Sequence, residues 1–106
     1  MTALLTTSAE LDELMRSGRA PVVLDVRWRL GGPHGGDAYR EAHIPGALFA
    51  DLDADLAAHG EPAEGRHPLP SAAAFEASVR RWGIDDGDTV VVYDDAMGFG
   101  PARAWW

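Results

Sequence analysis

The chain has 106 residues, a formal net charge of −8, arginine at all nine of its positively charged positions, and no cysteine. This length allows one small domain, and the lack of cysteine excludes disulfides, thiolate metal sites and cysteine nucleophiles within these residues. The acidic balance argues against nucleic acid or an anionic membrane surface as a partner, because both favour a cationic face.

The N-terminal segment carries no recognisable targeting signal. Residues 1–7 lack the basic start and the long apolar core of a signal peptide. Nothing here is long enough to span a bilayer, so we expect a cytoplasmic protein.

A short amphipathic helix comes first. Thr7 and Glu10 have the spacing of a capping box, and Leu11, Leu14 and Met15 follow at helical intervals. Gly18 is a suitable terminator for this helix.

The first strand candidate is Val22–Val26, an apolar run introduced by Pro21. Residues 31–36, Gly-Gly-Pro-His-Gly-Gly, predict an irregular loop. A polar helical turn is predicted from Asp37 to Ala42. Pro45 biases Ile44 away from helical geometry, so the chain turns before a short strand at residues 47–49.

Acidic residues alternate from Asp51 to Leu56 as they do at the start of a calcium loop. The sixth position, which should be glycine, is Leu56, and the twelfth is Pro62 rather than glutamate. We therefore predict a polar helical turn with Leu52 and Leu56 facing inward, and no metal site.

A surface loop and a second amphipathic helix follow. Residues 59–70 are rich in glycine, proline and charge, which is typical of a loop. Ser71 is a candidate N-cap for a helix over residues 72–82, and Gly83 ends it. One face of this helix is apolar: Phe75, Val79 and Trp82.

The last elements are a strand, a loop and a helix. Residues 89–93 are a β-branched run that predicts a strand buried on both faces. Pro101 suits the first turn of a helix, which leaves Asp94 to Gly100 as the intervening loop. In open α/β sheets ligands bind at the carboxyl ends of strands, so any chemistry is expected at this loop.

Alternating strands and helices predict an α/β fold with a mainly parallel sheet. The final helix runs barely a turn and a half past Pro101 and ends on Trp105 and Trp106, two indoles with nothing visible to bury them. We therefore expect residues 1–106 to be part of a longer polypeptide, truncated at the C-terminus.

Most of the remaining polar residues have a structural interpretation. Asp25 and Arg27 end a strand, where an ion pair is favoured over substrate contact, and His43 is expected to hold a turn through a hydrogen bond. The other histidines, His34, His59 and His67, lie in loops without metal-ligand spacing and are expected to face solvent. No serine is placed for a catalytic triad.

Three motifs together resemble the rhodanese family. They are Leu24-Asp25-Val26-Arg27-Trp28, His43-Ile44-Pro45-Gly46-Ala47, and Val90-Val91-Val92-Tyr93-Asp94 followed by Arg103-Ala104-Trp105-Trp106. The resemblance is narrower still to the N-terminal domain of tandem-domain thiosulfate and 3-mercaptopyruvate sulfurtransferases. It implies a three-layer sandwich whose central parallel sheet is flanked by helices, with residues 1–106 forming part of that domain.

The resemblance implies sulfur transfer by a loop cysteine that carries a persulfide, without a cofactor. That cysteine directly follows the strand in the family's active domain, and here the position is Asp94. A carboxylate cannot form a persulfide, which fits the non-catalytic copy of a tandem pair. Its partners would be the cysteine-bearing C-terminal domain, on the same polypeptide or a second chain, and a small sulfur-donor anion.

The resemblance also assigns residues around this loop. Phe99 matches an aromatic segment that lines the substrate pocket, and Gly100 replaces a second bulky residue. Together with Trp28 and Arg103 these are expected to support the pocket or the domain interface. The structural motif residues are Asp25, Arg27, His43, Pro45 and Gly46.

Two rival functions share this expected fold. A stand-alone, inactive rhodanese-like module that recognises another protein would carry the same acidic loop. A related cysteine-dependent phosphatase lacks its nucleophile here.

Overall fold

The computed structural model describes residues 4–106, which form three strands, five α-helices and one short 3₁₀-helix. The strands are β1 (Val22–Asp25), β2 (Leu48–Phe49) and β3 (Val90–Tyr93). The helices are α1 (Ser8–Arg16), α2 (Gly35–Glu41), α3 (Leu52–Asp55), α4 (Ala72–Arg81) and α5 (Phe99–Trp105), and the 3₁₀-helix is Pro62–Glu64.

The three strands form one parallel sheet in the order β2-β1-β3. Leu24 in the central strand pairs with Leu48 of β2 and with Val92 of β3. The prediction of a parallel α/β sheet is therefore confirmed. Because the strands are parallel, their carboxyl ends meet at one edge, which is where the loops after β1 and β3 emerge.

Alternate residues of β1 build two cores on opposite faces of the sheet. Leu24, together with Val26 just beyond the strand, packs with Phe75 and Val79 of α4 and with its C-cap residue Trp82. Val23 points the other way, against Leu11 of α1 and Ala47. Since side chains alternate along a strand, one short apolar run supplies both helix layers, and the three-layer arrangement follows.

Strand β3 differs from its prediction, because it is not buried on both faces. Val90 is 40 % exposed, and the rest of the strand is only half-buried. The reason is position: β3 lies at the edge of this sheet, whereas β1 has a strand on each side. The apolar run correctly indicated a strand but could not show where in the sheet it lies.

The predicted helix starts are confirmed for α1 and α4. Thr7 and Glu10 form the reciprocal capping box, and the Ser71 hydroxyl accepts a hydrogen bond from the Ala74 N–H. Gly83, directly after the α4 C-cap, has φ +72°, the left-handed conformation that glycine adopts without strain.

The second helix begins two residues earlier than predicted, inside the glycine-rich segment. His34 is the N-cap of this helix, and its Nδ1 accepts the Gly36 N–H at 3.0 Å, as a serine or aspartate oxygen does at other helix starts. A Cβ on Gly35 would lie 1.9 Å from the Arg27 carbonyl oxygen, so only glycine lets α2 start against the end of β1. The prediction of an irregular segment over residues 31–36 was wrong for its last two residues.

The acidic stretch after β2 is the short helix α3, as predicted. The Asp51 carboxylate caps it by accepting from the N–H groups of Asp53 and Ala54. Leu52 and Leu56 pack into the core. Among residues 4–106 no cluster of three or more acidic or histidine side chains could hold a metal ion. Nor do these residues form a helix long and apolar enough to cross a membrane.

Candidate functional site

A cleft of about 790 Å³ opens at the carboxyl end of the sheet. The loop after β1 forms one side, and the loop after β3 with the start of α5 forms the other. Five residues singled out from the sequence line it: Trp28, Asp94, Phe99, Gly100 and Arg103. The structure therefore brings together the residue in the expected cysteine position and all four expected supporting residues.

The loop after β3 is a tight turn built around Asp94. The two oxygens of its carboxylate lie 3.1 and 3.2 Å from the Gly98 nitrogen, whose N–H they accept. Met97 and Gly98 both adopt left-handed backbone conformations, with φ of +63° and +82°. A left-handed methionine is uncommon, so its conformation is imposed by the turn that Asp94 closes.

Asp94 consequently uses a loop donor that an incoming anion would need. Backbone N–H groups between a strand and the following helix are the usual binding groups for anions in α/β folds. Here the Gly98 N–H already faces a carboxylate. The neighbouring Asp95 pairs with Arg29 at 2.7 Å, which neutralises a cation on the opposite wall of the cleft. At this loop, therefore, both the Gly98 N–H and the Arg29 guanidinium are already paired with carboxylates.

Gly100 is required by packing. A Cβ at this position would lie 2.8 Å from the Val26 carbonyl oxygen and 3.0 Å from a Val26 methyl carbon. Its absence lets the first turn of α5 lie directly against the end of β1. The resemblance indicated that Gly100 replaces a second bulky residue, and the geometry adds the reason that no larger side chain fits.

The Arg103 guanidinium faces the opposite loop rather than the open cleft. It donates to the carbonyl oxygens of Leu56 at 2.8 Å and of His67 at 2.6 Å, with a longer contact to Pro68 at 3.4 Å. One side chain of α5 thus ties the long loop over residues 56–68 to the floor of the cleft.

Trp28 and Phe99 form part of the rim of the cleft, and the exposed Met97 lies in the same loop between the lining residues Ala96 and Phe99. Trp28 donates its indole N–H to Asp53 at 3.2 Å and meets the His67 ring edge-on. Phe99 is 76 % exposed and Met97 is 92 % exposed. Two large apolar side chains held out to solvent beside a cleft are suited to contact with another protein surface.

A buried polar cluster lies beside the cleft at the same end of the sheet. Asp25 is fully buried at the end of β1. Its carboxylate accepts from the Arg27 backbone and guanidinium and, at 2.7 Å, from the Tyr93 hydroxyl. Arg27 also donates to the Ala42 carbonyl oxygen, and the Tyr93 hydroxyl accepts the Ile44 N–H. We call Asp25, Arg27 and Tyr93 the buried triad.

Ionisation within the buried triad follows its hydrogen bonds. Burial opposes the charge on Asp25, yet the donors from Arg27 and Tyr93 outweigh it and leave the pKa of Asp25 below its usual value. The Asp25 hydrogen bond likewise raises the pKa of Arg27. Burial raises the pKa of Tyr93 to about 12. All three groups therefore keep their ordinary charge states near neutral pH.

The His-Ile-Pro-Gly-Ala motif is a β-turn. The Ala47 N–H donates to the Ile44 carbonyl oxygen at 2.9 Å, with Pro45 and Gly46 at its centre and Gly46 at φ +82°. These are the residues that a type II turn prefers. His43 hydrogen-bonds the Tyr39 carbonyl oxygen at 2.6 Å and stacks on the Tyr39 ring. The motif residues thus lie away from the cleft and connect to it through the buried triad.

Sequence reasoning missed two of these polar roles. Tyr93 was treated only as the end of an apolar run, and its place opposite Asp25 is visible only in the strand register of the folded sheet. His34 is exposed, as expected, but the sequence did not show that it caps α2 and that its Nε2 lies 3.0 Å from an Asp51 carboxylate oxygen. Both roles depend on which elements are neighbours, which local sequence patterns do not contain.

Comparison with known proteins gives a family model and relatives that agree with one another. A family model described as "Rhodanese-like domain" matches residues 7–106. The Mycobacterium tuberculosis protein named "Putative thiosulfate sulfurtransferase SseB" is 50 % identical over 102 residues, which are 96 % of this chain and 36 % of that protein. A Pseudomonas aeruginosa protein named "Probable 3-mercaptopyruvate sulfurtransferase" is 47 % identical over 87 residues, covering 80 % of this chain and 31 % of the relative.

A solved structure has the same fold. The 3-mercaptopyruvate sulfurtransferase from Leishmania major superposes with a TM-score of 0.79 and 31 % identity, over 90 % of this chain and 27 % of that one. The chain spans about a third of the length of the curated relatives it matches.

Proposed function

Because the chain belongs to the rhodanese-like domain family, we propose that it is part of the cysteine-less N-terminal domain of a tandem-domain sulfurtransferase. In this proposal the reactive thiol belongs to a C-terminal rhodanese domain, on the same polypeptide or on a second chain. Residues 1–106 would shape and support the pocket in which that thiol works.

One observation carries the proposal: the Asp94 carboxylate follows β3 directly and takes the Gly98 N–H. An active rhodanese loop needs a thiolate at this position and free N–H groups to hold the anionic donor. Asp94 supplies neither, since its oxygens cannot carry sulfane sulfur and its charge repels an anion. The absence of cysteine from all 106 residues supports the same conclusion.

The reaction proposed for the whole enzyme has two steps. The thiolate of the other domain attacks the outer sulfur of thiosulfate, the S–S bond breaks, and sulfite leaves with the electron pair. The cysteine then holds a persulfide. An acceptor such as cyanide attacks the terminal sulfur, which forms thiocyanate and returns the thiolate. 3-Mercaptopyruvate is the other donor that the names of the relatives support.

The residues of this chain would contribute shape and solvent exclusion. Phe99 and Met97 would contact the partner domain, and the cleft wall at Trp28 and Gly100 would border the donor. Arg103 would act indirectly, by fixing the loop that closes the cleft. Their effect is to hold the donor in place and keep water from the persulfide.

The test compares the thiosulfate-to-cyanide activity of residues 1–106 with that of the full-length gene product. We expect no turnover from the former and turnover from the latter. Phe99→Ala in the full-length protein should raise KM, whereas Leu69→Ala, also exposed but outside the cleft lining, should change it little. Turnover by residues 1–106 alone would disprove the proposal.

A binding module without catalytic activity is the second candidate, and the exposed Met97 and Phe99 favour it equally. The same activity assay distinguishes the two candidate functions. A full-length protein that binds a partner through this rim and lacks any sulfurtransferase activity would establish the second.

A further inference from the structure

Arg29 is held at one wall of the cleft by a glycine turn. The Gly32 N–H donates to the Arg29 carbonyl oxygen at 3.4 Å, and Gly31 within this turn has φ +67°. A Cβ on Gly32 would lie 2.9 Å from the Arg29 Cβ and 3.5 Å from its Cδ, so glycine leaves the space that the arginine side chain occupies. The turn therefore fixes the position of a cation that lines the cleft.

The donors of the Arg29 guanidinium are only partly used. Its Nη2 donates to the Asp95 carboxylate at 2.7 Å, and among residues 4–106 this is the one hydrogen bond that the guanidinium makes. A guanidinium has five N–H donors. The Arg29 side chain is 62 % exposed and that of Asp95 is 38 % exposed, and ion pairs with such exposure contribute little to stability. Another anion can therefore replace Asp95 at little cost.

The second arginine of the cleft lining is fully engaged. Arg103 directs its guanidinium to the carbonyl oxygens of Leu56, His67 and Pro68. Of the two arginines that line the cleft in the described part of the chain, Arg29 is thus the one whose donors remain for an anion.

Two carboxylates near Arg29 limit the charge of the anion that it can bind. Asp95 pairs with Arg29, and Asp94 lines the cleft from the same loop as Asp95. At a separation of about 6 Å in a water-like dielectric, the charge of Asp95 weakens binding of a monoanion about threefold and of a dianion about tenfold. The cleft therefore favours an anion that carries a single negative charge.

We propose that Arg29 binds the anionic group of the sulfur donor, and that Asp95 determines donor preference by competing for Arg29 and repelling a second negative charge. 3-Mercaptopyruvate has one carboxylate, and its thiol is mostly protonated near neutral pH, whereas thiosulfate is a dianion. The preferred donor is then the monoanionic thiol acid. The inference rests on the proposed function, in which this cleft borders the donor.

The first test measures kcat/KM of the full-length gene product for the two donors, with cyanide as the acceptor. Asp95→Asn should raise kcat/KM for thiosulfate about threefold more than kcat/KM for 3-mercaptopyruvate, and about 0.5 M salt should remove most of this difference. The control is Asp86→Asn, which removes the same charge from an exposed residue outside the cleft lining. An unchanged donor ratio in Asp95→Asn, or an equal change in Asp86→Asn, would overturn the inference.

Variants of Arg29 test the binding contact itself. Arg29→Gln should lower kcat/KM about tenfold for both donors, and Arg29→Lys, which keeps the charge, should recover part of this loss. The value for cyanide should change little, because the rest of the donor has left before cyanide attacks. Arg19→Gln, at an exposed arginine outside the cleft lining, is the matched control. Unchanged donor kinetics with a lowered Tm in Arg29→Gln would assign Arg29 to a carboxylate of the remaining polypeptide and refute the inference.

Failure of this inference is distinguishable from failure of the proposed function. An active full-length protein whose donor kinetics ignore Arg29 and Asp95 would refute the inference alone. A full-length protein without sulfurtransferase activity would refute the proposed function, and calorimetric titration with thiosulfate would then decide the inference. Arg29→Gln should weaken thiosulfate binding about tenfold, and an equal Kd for the variant and the parent protein would overturn it.

Discussion

Two carboxylates at the same end of the sheet show how neighbouring regions of one fold are put to different use. Asp25, at the end of β1, is fully buried and accepts from Arg27 and Tyr93. Asp94, one residue beyond the end of the adjacent β3, is half-buried and accepts one backbone N–H within its own loop. The first fixes three segments of chain in place, and the second, in the function we propose, occupies the position of the reactive cysteine.

The difference follows from the partners that each carboxylate holds by hydrogen bonds. Removing Asp25 would deprive the half-buried Arg27 guanidinium of its ion pair and the Tyr93 hydroxyl of its acceptor, so the buried triad depends on it for stability. Removing Asp94 would release one N–H in a solvent-facing loop. The buried triad is thus the rigid support, and the loop beside it is free to vary without loss of the fold.

The largest effect is expected for Asp25→Ala. We predict a loss of about 2–4 kcal/mol in the free energy of unfolding, measured by urea denaturation, because the half-buried Arg27 guanidinium loses its ion pair and the Tyr93 hydroxyl loses its acceptor. The control is Asp12→Ala, which breaks an exposed pair with Arg16 and should cost less than about 0.5 kcal/mol. Similar losses for the two variants would show that the buried triad contributes no more to the free energy of unfolding than an exposed ion pair does.

Gly100→Ala tests the packing beneath the loop. The new Cβ would meet the Val26 carbonyl oxygen, a backbone atom that cannot rotate away, so we predict a loss of about 1–3 kcal/mol. Gly18→Ala is the matched control, since nothing lies within 4 Å of its Cβ position. If Gly100→Ala is as stable as the control in the same denaturation experiment, then α5 does not lie so close to β1.

Alkaline pH should weaken the buried triad while leaving the acidic loop unchanged. The pKa of Tyr93 is raised to about 12, so its hydroxyl stabilises the fold fully below about pH 10 and loses this effect as pH rises through 12. The expected loss is on the order of 2 kcal/mol. Unfolding followed between pH 9 and 12 measures it, and a flat profile would contradict the burial of this hydroxyl and its hydrogen bond to Asp25.

Tyr93→Phe removes the same hydroxyl at neutral pH. We predict a loss of about 1–2 kcal/mol, because Asp25 loses one donor and the Ile44 N–H loses its acceptor. The variant should also lack the part of the alkaline destabilisation that comes from Tyr93. The control is Tyr39→Phe, which removes a hydroxyl bonded to the Ala47 carbonyl oxygen. This variant should retain the alkaline destabilisation that comes from Tyr93.

The smallest effect is expected in the loop itself. Asp95→Asn breaks the exposed pair with Arg29 and should change stability by less than about 1 kcal/mol. Raising the salt concentration should remove most of whatever difference remains. A loss as large as that of Asp25→Ala would mean that the loop, too, is part of the rigid support.

Sequence patterns predicted the helices and strands of this fold better than they predicted which of these elements lie next to one another. The capping signals of Thr7 and Ser71 act within one turn of helix, so they could be read directly and were confirmed. The exposure of β3 could not be read, because an edge strand and a central strand share the same apolar run. The helix starting at Gly35 depends on His34 and on the nearby Arg27 carbonyl group.

The candidate site shows the same limit. The motif resemblance pointed to Asp94 and to the residues that line the cleft. It did not show that Tyr93 joins Asp25 across two strands separated by 68 positions in sequence, or that Arg103 bonds backbone oxygens of a distant loop. Contacts of this kind depend on strand order and register, which are properties of the assembled sheet.

The central claim is that sulfur is never carried by these residues. It is tested most directly by incubating the full-length gene product with thiosulfate, measuring its intact mass, and mapping the added sulfur by peptide analysis. The account predicts one sulfur atom per protein, removed by cyanide, on a cysteine outside residues 1–106. Sulfane sulfur bound covalently within residues 1–106 would contradict it.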